Sequence, residues 1–239
     1  MKTPEEIKTI PQTAGHLTKQ QFAYATLRES IMKGELAPGT RLVIDDLAKL
    51  FAISIIPVRE ALRLLQSEGL VVSVAHVGAT VAPISRQSVA EVFTVLEGLE
   101  VVATRTAAER AAPADLDHLA TIVAAMDEAL DADAPQRWAE LNTRFHLAIS
   151  DLTAMPMLQE MMRRAFDHWD RVRRHYFSGV LVRRARRAQA EHRLMLDQMR
   201  ARDLAALEQT IREHNQAALA AYAAYLDADV PSTAGGRGA

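Results

Sequence analysis

Cysteine is absent from the 239 residues, aromatic residues make up only 5%, and lysine plus arginine (28) nearly balance aspartate plus glutamate (30). The missing cysteines exclude a disulfide framework, Cys-ligated zinc, iron–sulfur clusters and a thiol nucleophile. A net charge of -2 gives no global attraction to nucleic acid, so any such binding must come from a local surface. No apolar run is long enough to span a bilayer, and the opening MKTPEEIKTIPQTAGH lacks a signal-peptide core. A soluble, cytoplasmic protein with no membrane partner is therefore expected. What remains is a chain 49% hydrophobic and rich in alanine, a composition that favours close-packed helices over sheets. Its length suits two domains.

The stretch from Ser54 to Leu70, SIIPVREALRLLQSEGL, organises the first of them. Val58, Ala61, Leu62 and Leu65 recur at helical spacing, with Arg59, Glu60, Arg63 and Gln66 on the other side, which predicts a short amphipathic helix. Ser54 is expected to cap its first turn by accepting an amide hydrogen bond, Pro57 suits that turn, and Gly69 can take the left-handed C-cap. Upstream, Phe22, Ala23, Leu27 and Ile31 mark a helix from Lys19, stopped by Gly34 and Pro38-Gly39. Asp45 or Asp46 is expected to start a second helix through Leu47, Leu50 and Phe51. Two short helices joined tightly, the second with a polar face, read as a helix-turn-helix. Val71-Val72 and Thr80-Val81 flank Ala75 to Ala79 as a small hairpin, a wing.

Beyond Pro83 and Ser85 the pattern changes to six long helices, covering about 88–111, 114–132, 135–152, 156–178, 182–202 and 203–227, with breaks at Pro113, Pro135, Pro156, near Gly179 and at Arg202-Asp203. Short connections predict an antiparallel bundle. The expected fold is thus mostly α, an N-terminal winged helix-turn-helix followed by an all-α antiparallel helical bundle. The expected divisions are a flexible arm over 1–17, the winged domain over 18–84, the helical domain over 85–229 and a disordered tail over 230–239.

The segments Pro57-Val58-Arg59-Glu60-Ala61-Leu62-Arg63, Glu68-Gly69-Leu70, His76-Val77-Gly78-Ala79 and Val81-Ala82-Pro83 resemble the GntR family of bacterial transcription regulators. Gly34 to Leu42, GELAPGTRL, is similar to that family's loop after its first helix. The helical remainder resembles the FCD ligand-binding domain of the FadR-like subfamily. The resemblance implies a regulator that binds a palindromic double-stranded operator as a homodimer and responds to an effector. It places Ser54, Ile55, Arg59, Arg63, His76 and Gly78 at the DNA. A recognition helix presents its N-terminal residues to the major groove, where Arg59 or Arg63 can reach guanine or phosphate, and a wing-tip His76 can meet the minor groove. Two positions depart from the family's pattern: Ile55 and Asp45 stand where relatives carry cations. Ile55 can instead touch a thymine methyl.

In the helical domain Asn142 and His146 are four residues apart, one above the other on a single helix face. His192 and His214 each sit mid-helix among apolar residues. Three imidazoles and one oxygen from three helices suit a divalent transition metal, with hydrogen-bonded buried imidazoles as the competing reading. The resemblance implies that Asn142, His146, His192 and His214 are the metal ligands, of Zn, Ni or Mn. Where relatives often have Asp, Asn142 removes one negative charge. The resemblance also implies a small carboxylate effector paired with arginine. Arg105 and Arg144 are the leading candidates among Arg105, Arg144, Arg171, Arg173 and Arg174; Leu96 stands where the family often has arginine, which implies a ligand that is smaller, less charged or held from another side. The alternative is a His-ligated, hydrolase-like metalloenzyme with an accessory winged helix. There is no His-Glu-x-x-His, and Glu191 and Glu213 project about 100° away from the histidines beside them in sequence.

Overall fold

The computed structural model describes residues 17–175 and 177–228, and these divide between Ile84 and Ser85 into two compact units. The expected arm, apart from Leu17, and the tail over 230–239 lie outside the described residues.

In the first unit Thr18 opens α1 (Lys19–Met32) with a capping box, its hydroxyl accepting from the Gln21 amide while the Gln21 side chain accepts from the Thr18 amide. α2 (Ile44–Phe51) begins one or two residues earlier than expected. Val43 is its N-cap, so Asp45 and Asp46 fall in the first turn, where their charge suits the helix dipole. α3 (Ile55–Ser67) has Ser54 as N-cap in extended conformation, yet its hydroxyl makes no capping bond. The expected cap is therefore one of position, and the hydroxyl stays exposed. Gly69, at φ 71, turns the chain after α3 in the left-handed region, as the C-terminal glycine of a helix does. β1 (Val71–Val74) and β2 (Gly78–Val81) then pair antiparallel, Val71 opposite Val81 and Val74 opposite Gly78. The segment before α2 adds to this ribbon, since the Leu42 amide donates to the Ala79 carbonyl at 2.8 Å and the Val81 amide to the Thr40 carbonyl at 2.8 Å. Leu27, Ile31, Leu47, Val58, Leu65 and Val81 fill one core, and α3 rests on it through Val58, Ala61, Leu62 and Leu65.

The second unit is helical throughout its described residues: α4 (Arg86–Arg110), α5 (Pro113–Asp131), α6 (Pro135–Asp151), α7 (Pro156–His175), α8 (Phe177–Ala201) and α9 (Leu204–Ala228). Pro113, Pro135 and Pro156 each stand at a first helical position, where a missing N–H costs nothing. The expected break near Gly179 moves toward the α7 end, because α8 already runs from Phe177 and takes Gly179 into its second residue pair. A glycine inside a helix costs only about 1 kcal/mol and does not by itself stop it. α4 packs along α9 and α7, α5 along α6 and α8, and α8 along α9, around a core that includes Met126, Trp138, Phe145, Met195 and Ile211. Among the described residues no helix is long and apolar enough to cross a membrane.

Candidate functional site

In the second unit, α6, α8 and α9 bring His146, His192 and His214 together. One ring nitrogen of each lies within 4.8 Å of the others, and all three rings are buried. Asn142 lies one turn before His146 and lines the same cavity, 5% exposed. Two of the imidazoles are held from behind. His146 Nδ1 is 2.7 Å from Oε1 of Glu100 on α4, and His214 Nδ1 is 2.7 Å from Oε2 of Glu191 on α8. An ionised carboxylate only accepts, so Nδ1 of each ring donates and Nε2 is the nitrogen left to offer. Glu100 also accepts from Asn215 Nδ2 at 2.5 Å, and Glu191 from Arg184 and Arg187. His192 is different: it is fully buried, with neither ring nitrogen hydrogen-bonded. An unpaired buried polar nitrogen is costly, and a cation drawing on three converging imidazoles would satisfy it. The carboxylate–histidine pairs behind the other two rings are the arrangement that fixes ligand orientation in metal sites. The donor set therefore fits a dication.

Burial, with the nearby positive charges of His214, His146 and Arg184, pushes the His192 pKa well below the usual imidazole range. Burial also lowers His214, against the opposing pull of Glu191. Glu100 and Glu191 shift down too. Burial alone would raise them, but the charges and hydrogen bonds of His146 and His214, with Asn215 and Arg184, outweigh it and take Glu191 to about 2. The consequence for metal-free protein has one sign. Below the unfolded imidazole value of 6.5, the unfolded chain binds protons that His192 and His214 refuse, so folded stability drops as pH falls from there. The two carboxylates add a further loss below 4.5, their unfolded value. Urea midpoints of chelator-treated protein are expected to decline steadily from about pH 7 to about pH 4; a level curve across that span would contradict the neutral, buried imidazoles.

Two of the triad, His146 and His214, line a cavity walled by Phe93, Leu96, Trp138, Phe166, Trp169 and Tyr222, with His192 buried behind them. A mostly apolar lining with a few convergent polar groups is the character of small-molecule sites. Arg184 lines it, donating to Glu191 at 3.0 Å and to the His214 carbonyl at 2.6 Å. Arg105 and Arg144 do not line it. Both are exposed, and Arg105 reaches toward Glu109 and Glu208 instead. Sequence reasoning missed Glu100, Glu191 and Arg184. Glu191 does point away from its neighbour His192, as expected, but toward His214 on α9. An Arg–Glu pair seven residues apart, on one face of α8, was the available signal for Arg184.

In the first unit Ser54, Ile55, Arg59, Arg63, His76 and Gly78 are all exposed. The first four share the start and outer face of α3, and the other two sit at the wing turn. Arg63 donates to Glu60 at 2.8 Å. His76 holds φ 62 and Gly78 φ 96, left-handed conformations that make the tight wing turn and that glycine tolerates best. Ile56, not singled out from the sequence, is 68% exposed beside Ile55 at 42%.

A winged helix-turn-helix followed by a helical domain with an internal cavity is the architecture of a DNA-binding regulator. The family comparison agrees in both halves. Residues 19–81 match the bacterial regulatory proteins of the gntR family, and residues 91–217, more than half of the chain, match the FCD domain. The chain belongs to the GntR family, in its FadR-like form with an FCD domain. It is similar to the HTH-type transcriptional regulator McbR of Escherichia coli, 28% identical over 178 residues, which cover 74% of this chain and 80% of McbR. The solved structure of E. coli McbR/YncC aligns over 88% of this chain and all of its own, with a TM-score of 0.69 and 25% identity. The E. coli transcriptional repressor GlaR is 27% identical over 198 residues, 80% of this chain and 90% of GlaR. These relatives are regulators rather than enzymes, and the metalloenzyme alternative is set aside.

Proposed function

We propose that this regulator is controlled by a small carboxylate effector bound beside a divalent metal, and that it acts in the cytoplasm as a homodimeric repressor on a palindromic operator. The observation that carries the reading is His192, whose two buried nitrogens have no protein partner although His146 and His214 are each braced by a carboxylate. Asn142, His146, His192 and His214 hold the metal. As a Lewis acid, the ion supplies an attachment point for a carboxylate oxygen. Imidazole-rich ligation favours Zn or Ni over Mn. Arg184 takes the arginine role expected of Arg105 or Arg144, since it faces the cavity. Repression is what the name of the relative GlaR describes for that protein. Effector and operator are coupled only as far as the effector binds the two arrangements of the dimer unequally. The test is an electrophoretic shift with DNA flanking the protein's own gene, run with metal, with chelator, and with candidate acids. An operator affinity indifferent to all three would end the proposal.

At the DNA, Arg59 and Arg63 lie over the major groove with Ser54 and Ile55 at its floor, while His76 and Gly78 bring the wing to the minor groove. Arg59→Ala is expected to weaken binding and lower the slope of log affinity against log salt by about one unit. Ile55→Arg is expected to steepen that slope by about one unit. Slopes from fluorescence anisotropy across a salt series check both; unchanged slopes would remove these residues from the phosphate contacts.

A further inference from the structure

The cavity has two polar ends, and the second is not accounted for by a metal or by Arg184. α4 and α9 run antiparallel along it. At one end Glu100 accepts from Asn215 beside the histidines, and at the other Phe93 packs its ring 5.6 Å from that of Tyr222. On each helix these residues are seven apart, so the ends are separated by about 10 Å of helix rise. Between them the walls are apolar, with Leu96 on α4 and the small Ala218 on α9 both lining the space. At the far end the Tyr222 hydroxyl is buried and has no hydrogen-bond partner, with the residue 3% exposed and part of the cavity wall. Burial there pushes its pKa up, so it remains a neutral donor and acceptor.

Resting on the carboxylate reading above, we infer that the effector is an elongated monocarboxylic acid with an aromatic or apolar body, whose hydroxyl or carbonyl at the opposite end is met by Tyr222. A compact di- or tricarboxylate fits poorly. Its additional charges would lie against the apolar side chains of Leu96 and Ala218 and lose their hydration there. A body lacking the distal polar group fills the apolar length but leaves the tyrosine hydroxyl unpaired, which is how polar pockets discriminate against deoxy analogues.

The test is calorimetric titration of the metal-loaded full chain with matched pairs, benzoate against 4-hydroxybenzoate and cinnamate against 4-hydroxycinnamate, and with succinate and citrate. Wild type is expected to prefer the hydroxylated member of at least one pair by roughly tenfold. Tyr222→Phe should erase that preference, and unchanged metal uptake by the variant shows that it folds. Aromatic acids that bind with equal strength in wild type and variant, hydroxylated or not, would overturn the role of Tyr222 and leave the carboxylate site standing. Tighter binding of succinate or citrate would overturn the apolar body. Binding of no acid at all, with metal uptake intact, would overturn the carboxylate reading and this inference with it.

Discussion

His192→Leu is expected to abolish divalent metal uptake and, at the same time, to make the metal-free protein more stable. The two effects have one origin. His192 is fully buried between Phe145, with ring centroids 5.1 Å apart, and the other two histidines, and neither of its nitrogens is paired. Each unsatisfied buried polar group costs about 1–3 kcal/mol, whereas a leucine of similar volume asks for nothing but contact. In chelator the variant should therefore gain stability on the order of 1–3 kcal/mol, a rise in Tm of about 2–4 °C for each kcal/mol in a chain of this size. With metal the order reverses. Wild type gains about 4 kcal/mol at a thousandfold excess over Kd, and the variant gains nothing. His146→Leu makes the contrast, because it strips the buried Glu100 of its imidazole and should destabilise the protein with or without metal. Melting curves in chelator and in zinc, with metal content measured on the same samples, check the prediction. A His192→Leu protein that melts lower in chelator and still takes up one ion would sink it.

Leu65→Ala is expected to eliminate operator binding while metal uptake persists. Leu65 is fully buried where α3 meets the core of the winged unit, and truncating such a leucine costs about 2–5 kcal/mol. A unit of this size has little stability to lose, since small domains bury a smaller share of their surface. The histidine triad belongs to the other compact unit, with a core of its own. The measurements are an electrophoretic shift and a metal titration on one preparation. Loss of both functions together would mean that the two units do not hold their structures independently.

The parts of this molecule that could be read from the chain are those set by neighbours in sequence. The 3.6-residue pattern marked the helices of the described residues, proline marked three of their starts, and the four-residue spacing of Asn142 and His146 put both on one side of α6. The bracing carboxylates escaped because Glu100 and Glu191 act across helices, and only packing decides which imidazole they meet. Arg144 lies away from the cavity for a reason that spacing already contained. It is two residues from both Asn142 and His146, so it projects about 200° around the helix from them. The α7–α8 junction was misplaced because glycine was treated as a stop where the helix simply bears its cost. Ser54 was expected to cap with its hydroxyl, and the backbone position alone suffices.

The matched seven-residue spans of α4 and α9 make the cavity a fixed-length gauge. A residue inserted or deleted between Phe93 and Glu100, or between Asn215 and Tyr222, would turn everything past it by about 100° and withdraw one end of the site from the other. Substitution can retune the walls at Leu96 or Ala218, but the interval itself tolerates no change in length. In this chain a longer or shorter ligand would have to be accommodated by side-chain size at a constant count of residues.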